Sequence, residues 1–156
     1  MTYNDWIKTV PLEITGDNLW KMEAYRLNLY ALDLAWSDVT TLRRDSRTIS
    51  LSDQLYRAIG SVSASIAEGY SRQSHKDQAR YYEYALGSAR ESRNWIWAAR
   101  NVLAEAVTTH RLSLYTQIIR LLLKMIPNER GYILHEERLE DSGDPIPSDL
   151  LANIPT

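Results

Sequence analysis

The stretch AIGSVSASIAEGYSRQSHKD, residues 58–77, decides the fold. Eight of its first twelve residues are Ala, Gly or Ser. A glycine inside a helix costs about 1 kcal/mol against alanine, so Gly60 predicts a neighbouring helix in close contact. Leu55, Ile59, Val62 and Ile66 recur at helical spacing and place one stripe against a core. Gly69 is expected to end this helix in the left-handed conformation that glycine adopts most readily. Ser74 and Asp77 then form an S-x-x-D helix start. The stretch therefore reads as one helix end, a tight corner and a second helix beginning. Glu68 sits at the wrong end of the helix dipole, an unfavourable term of about 0.3–1 kcal/mol, and an ion pair with Arg72, or with an arginine of a neighbouring subunit, is expected to offset it.

Working outward, residues 18–45 contain neither Gly nor Pro, and Asp17 or Asn18 is placed to cap them. Trp20, Ala24, Leu27, Ala31, Leu34, Val39 and Leu42 give a first helix its apolar face. Ser50 and Asp53 suggest a capping box for the second helix. Beyond Ser74 the pattern Tyr81, Ala85, Ser88, Ser92, Ile96, Ala99, Leu103 predicts a third helix with a face poor in bulk, its Gly87, Ser88 and Ala89 again inviting close contact. Thr108 or Thr109 is expected to cap a fourth, whose stripe is Leu112, Tyr115, Ile118, Ile119, Leu122 and Met125 or Ile126, and Pro127 to interrupt it. Four such helices with short links predict an all-α, antiparallel up-down-up-down bundle over residues 18–127. Residues 1–17 read as an N-terminal extension, 128–141 as room for a short further helix, and 142–156 as a flexible, acidic, proline-containing tail.

The chain of 156 residues suits one domain, and 44% apolar with 24% charged residues is ordinary for a globular protein. It has no Cys, so neither disulfides nor thiolate metal sites contribute, and a cytoplasmic setting is expected. The N-terminus lacks a signal-peptide pattern and no apolar run is long enough to span a bilayer, so no membrane partner is expected. The net charge of −2 is unevenly spread: residues 43–100 carry ten Lys/Arg against six Asp/Glu, whereas residues 129–156 carry two against seven. A basic middle between acidic ends suits an anionic partner, or attraction within or between subunits.

Residues 51–92 resemble the four-helix-bundle family of 23S rRNA intervening sequence proteins. The resemblance rests on Q-L-x-R-A at Gln54 to Ala58 (with Arg57), I-A-E-G at Ile66 to Gly69, then Arg72, Ser74 and Lys76, and A-L-G-S-A-x-E at Ala85 to Glu91. The chain departs from the family pattern at Ser65, where Asn is usual, and at Tyr81–Tyr82, where an aromatic–leucine pair is usual. The resemblance implies a bacterial, cytoplasmic, homo-oligomeric bundle, in some members a ring of five. It also implies nucleic acid, or a nucleoprotein component such as a reverse transcriptase, as a partner, because a relative serves as accessory subunit of diversity-generating retroelements. Gln54, Arg57, Glu68, Gly69, Arg72 and Ser74 are then motif or subunit-contact residues.

No enzyme is expected. His75, His110 and His135 fall on different segments without an E-x-x-H spacing, no phosphate-binding or nucleophile-elbow motif occurs, and neither metal nor cofactor is implied. The basic residues are the functional hint. Arg72, Lys76 and Arg80 recur every fourth residue, Arg90, Arg93 and Arg100 continue around the third helix, and Arg43, Arg44 and Arg47 cluster at the first corner. Long cations suit phosphate contacts, and Tyr70, Tyr82 or Tyr84 would add stacking. A solvated helix face with i, i+4 pairs is the competing reading, since Glu83 and Glu91 interrupt the row. Trp20 and Trp36 read as core or interface anchors. Trp95 and Trp97 lie two residues apart on a helix, so both cannot face one core, and one is a candidate subunit contact. Two functions follow: binding of RNA or a nucleoprotein partner through the basic surface, or a protein scaffold without nucleic-acid contact.

Overall fold

The computed structural model describes residues 2–130, 147–152 and 154–155. In chain order it comprises α1 (Tyr3–Ile7), α2 (Leu12–Thr15), a 3-10 turn (Asn18–Lys21), α3 (Glu23–Leu42), α4 (Ile49–Tyr70), α5 (His75–Ala98), a second 3-10 turn (Ala99–Asn101), α6 (Glu105–Arg130) and α7 (Ser148–Ala152). The four long helices pack against one another as a bundle. Arg43 meets Asp53 beside the α3–α4 link and Asn28 meets Ile59 farther along, so these helices run in opposite directions. Asp38 meets Arg111 while Asn28 meets Tyr115, which sets α6 antiparallel to α3 as well.

The apolar stripes meet as their spacing requires. Ala24, Leu27, Ala31 and Leu42 of α3, Leu55, Ile59, Val62 and Ile66 of α4, Ala85 and Ile96 of α5, and Ile118, Ile119, Leu122 and Ile126 of α6 are all buried. On α5 the buried tyrosine is Tyr82, not Tyr81, which is half exposed. Two polar links cross this core. Asn28 Nδ2 donates to the Ile59 carbonyl at 2.9 Å and its Oδ1 accepts from Tyr115 Oη at 3.1 Å. Burial raises the Tyr115 phenol far above its ordinary value, so it stays a donor. Arg111 Nε donates to Asp38 Oδ2 at 2.8 Å and Nη2 to Oδ1 at 3.1 Å, with both side chains almost wholly buried.

Several boundaries differ from the sequence reading, each for a local reason. Asp17 caps the 3-10 turn, accepting from Leu19 N at 2.8 Å, and α3 begins only after Met22 in extended backbone. Ser50 and Asp53 form no capping box, because α4 starts at Ile49 and the Asp53 carboxylate is taken by Arg43. Thr108 and Thr109 lie inside α6, which starts at Glu105. The helix also continues through Pro127 to Arg130: buried Leu122 and Ile126 hold the turn whose hydrogen bond the proline removes. Of the helix allowed over 128–141, residues 128–130 belong to α6 and the rest lie outside the described residues.

The N-terminal extension is part of the fold. Thr2 and Asp5 form a capping box for α1, with Asp5 N donating to Thr2 Oγ1 at 3.2 Å. Tyr3 and Trp6 are buried against Tyr30, their ring centres 5.1 and 5.2 Å from it. Residues 142–146 of the expected tail lie outside the described residues, but Ser148–Ala152 is helical with Leu150 buried, because the apolar side of that turn finds the core.

The glycines divide unexpectedly. Gly69 does not end α4 in a left-handed conformation: the helix continues to Tyr70 and closes at Ser71 in right-handed geometry. A Cβ on Gly69 would lie 2.8 Å from Tyr82 Cε1 and 2.9 Å from Tyr81 Cβ, so its missing side chain is what lets α5 approach. A Cβ on Gly60 or Gly87 meets nothing within 4 Å, and neither makes the close contact expected of it. Gly69→Ala is therefore expected to destabilise the chain by about 1–3 kcal/mol through overpacking. Gly60→Ala should stabilise the isolated chain by about 0.5–1 kcal/mol. Denaturant titration of the two variants checks the opposite signs.

Candidate nucleic-acid interface

The cations that the sequence groups into one basic middle are divided between two ends of the bundle. Arg43, Arg44 and Arg47 lie at the α3–α4 link, and Arg72 and Lys76 at the α4–α5 link. The 22 residues of α4 hold these links about 33 Å apart. Because α5 returns along α4, Arg100 lies toward the first link. Arg90 and Arg93, half buried, occupy the middle of α5.

At the first link the charges are largely spent on each other. Arg43 pairs with Asp53 across the link. Arg47 pairs with Asp45, its Nε 2.9 Å from Oδ1, and these hydrogen bonds lower the Asp45 carboxyl to about 2. Arg44 is exposed and has no ion pair among the described residues.

The second link is built differently. Ser74 caps α5, accepting from Asp77 N at 3.1 Å and donating to Asp77 Oδ2 at 2.8 Å. Arg72 precedes the helix, so it does not continue a helical row through Lys76 and Arg80 as the spacing suggests. It folds back over Tyr81 instead, its guanidinium 4.6 Å from the ring centre and Nη2 donating to Tyr81 Oη at 2.6 Å. Gln78 Nε2 holds the Arg72 carbonyl at 2.8 Å. Tyr81 meets Tyr84 edge-on at 5.6 Å, and Arg80 Nε donates to Tyr84 Oη at 3.0 Å. Two arginines thus flank two tyrosines in one surface ladder, Arg72, Tyr81, Tyr84, Arg80, with exposed Lys76 beside it. Tyr84 is 50% exposed and Tyr70 40%. Tyr82, expected as a stacking residue, is buried.

Glu68 is exposed in the last turn of α4 and forms no ion pair among the described residues, since Arg72 has turned onto Tyr81. The expected Glu68–Arg72 pair is therefore absent. Trp95 is half buried and donates from Nε1 to Glu91 at 3.1 Å, whereas Trp97 is 56% exposed with the Arg100 guanidinium 4.2 Å from its ring centre. Gln54 and Arg57 line an open groove of about 630 Å³ beside Trp36, which is 66% exposed and meets Tyr56 edge-on. Of the two alternatives read for Trp36, core or interface anchor, its exposure outside the α3 stripe excludes the core. Among the described residues no three His, Asp or Glu side chains converge as a metal site, and no helix is long and apolar enough to cross a membrane.

The profile of the 23S rRNA-intervening sequence protein family matches residues 30–128, which run from the first turns of α3 to the last turn of α6. The chain belongs to the 23S rRNA-intervening sequence protein family. The match takes in the whole of α4 and α5 and most of α3 and α6 of this family member, and leaves α1, α2 and α7 outside it. No curated protein and no solved structure matches the chain.

The Asp45–Arg47 pair yields a pH prediction for this family member. The folded carboxyl is depressed, so the pair is complete above the ordinary aspartate range and is lost as pH falls through about 2. NMR titration should place the Asp45 midpoint near 2, and Arg47→Ala should return it toward the ordinary carboxylate range.

Proposed function

We propose that this chain is a non-enzymatic, cytoplasmic homo-oligomer that binds RNA, or a nucleoprotein partner, through the face carrying Arg72, Lys76, Arg80 and Tyr84. The observation that carries this reading is the arginine–tyrosine ladder. Arg72 and Arg80 are held on phenol groups rather than on carboxylates, so their charge is available to phosphate. The aromatic rings beside them are sequence-tolerant platforms for bases. Arg43 and Arg47 are weaker candidates, because a phosphate would have to displace Asp53 and Asp45. Arg44, Arg90, Arg93 and Arg100 would extend the contact rather than found it.

Self-association accounts for three features that one copy leaves without use. Glu68 faces the negative end of α4 with no cation paired to it among the described residues, Gly60 and Gly87 stand in helices with open space beside them, and Trp97 is exposed. A neighbouring copy supplying a cation, a helix face and a pocket would use all three. A ring repeats the ladder on each copy and multiplies a weak contact.

The competing reading, a protein scaffold without nucleic-acid contact, draws on the groove beside Trp36 and Tyr56. Binding of single-stranded and structured RNA across a salt series separates the two. The logarithm of affinity should fall linearly with the logarithm of salt concentration, and replacing Arg72, Lys76 and Arg80 with Gln should reduce the slope by about 2 on single strands, at about 0.7 per lost phosphate contact. Arg43→Gln with Arg47→Gln should change it by less. Absence of binding at low salt, with a partner that co-purifies after nuclease treatment and is lost in Trp36→Ala, would favour the scaffold. Sedimentation of the wild-type protein measures the assembly directly.

A further inference from the structure

We propose that His110 is a pH-governed latch that holds α7 (Ser148–Ala152), with Pro155 beyond it, on the bundle. The imidazole sits between two partners that together dictate its protonation. Its Nδ1 lies 2.8 Å from Arg111 Nη1, and its Nε2 lies 2.7 Å from the carbonyl of Leu150 in α7. An arginine N–H can only donate and a carbonyl can only accept, so Nδ1 must be bare and Nε2 must carry the proton. This is the neutral ring in one tautomer. A second proton would enter at Nδ1, opposite an Arg111 that is itself held by Asp38, and would set two donors and two cations face to face.

Arg111 reaches the same segment a second time, with Nη2 donating to the Pro155 carbonyl at 3.4 Å. Leu150 is buried by the docking, Leu151 and Ile154 pack partly against the core, and Pro147, Asp149, Ala152 and Pro155 border an open groove against α6. Among the described residues, the charged and titratable groups facing the imidazole are Asp38 from α3 and Arg111 from its own helix. Glu105 and Arg120 of α6 and Asp149 of α7 line the groove that His110 also lines. Tyr30 of α3, which feels Arg111, is pushed up to about 12 and Tyr3 of α1 is also raised, so both phenols stay neutral throughout.

Burial lowers the His110 pKa below its ordinary value, against the opposing pull of the Leu150 carbonyl, with Arg111 adding to the lowering and Asp38 opposing it. Once released from the Leu150 carbonyl, the ring is free to turn Nδ1 away from Arg111 and toward water, so the released state takes up a proton more readily than the docked one. Docking therefore goes with the neutral ring and weakens as pH falls through the imidazole range. The latch does not depend on the nucleic-acid reading, because its switch lies on α6 and α7.

Hydrogen exchange on the full chain tests it, with rates corrected for the intrinsic effect of pH. Protection of residues 148–152 should fall about fivefold or more between pH 7.5 and 5.5, while residues 52–66 of α4 keep theirs. His110→Gln, whose amide can donate to Leu150 and accept from Arg111 without titrating, should protect the segment equally at both values. Unchanged wild-type protection, or a full pH-dependent loss in His110→Gln, would overturn the latch. If the glutamine variant fails to seat the segment, the wild type decides. A midpoint of lost protection matching the His110 imidazole titration by NMR supports the latch, and a midpoint elsewhere overturns it.

Discussion

A guanidinium and a carboxylate enclosed between two helices can be stable only when they face each other. Asp38 and Arg111 do so in two hydrogen bonds, 73 residues apart in sequence and almost sealed from water. Such a pair adds little net stability over an apolar one of similar volume, but it strongly disfavours any arrangement that leaves either charge alone. Sliding α6 by one turn past α3 would part them and would also take Tyr115 from Asn28. The pair thus acts on register. Leucine and isoleucine stripes tolerate neighbouring registers far better, because apolar contact is not directional.

Much of the four-helix scaffold was legible in the sequence, because it is written in spacing. The stripe of Leu55, Ile59, Val62 and Ile66 is buried as its period requires, and the Ser74–Asp77 cap forms. Gly69 extends that stripe by a further three residues and Gly60 does not, which was the available signal for which glycine meets a neighbour. Composition alone had suggested the opposite emphasis. The signal for α1 was present too, since Thr2 and Asp5 carry the same four-residue start as Ser74 and Asp77. The Asp38–Arg111 pair left no trace, because nothing local links residues on different helices. The corner arginines were visible as charges, but their pairing was not, since a carboxylate two residues away and one across the link look equally available in one dimension.

The surface divides according to what neutralises it. At the α3–α4 link, arginines meet aspartates and contribute chiefly to closing the corner. At the α4–α5 link, arginines lie on tyrosines, which hold the side chain in place without cancelling its charge. That distinction, more than the number of cations, is why the second link is the better anionic site. It also explains the exposed Glu68: once Arg72 is drawn onto Tyr81, the helix end keeps a carboxylate that nothing described within the chain offsets.

Asp38 and Arg111 act as one unit in setting the register of α6 on α3, and a double-mutant cycle measures that directly. With unfolding free energies from denaturant titration, Arg111→Met alone should cost about 3–5 kcal/mol by leaving Asp38 buried and unpaired. Asp38→Leu alone should cost a similar amount. The double variant should recover most of the loss, giving a coupling energy of at least about 2 kcal/mol. Single losses that simply add, with coupling near zero, would contradict it.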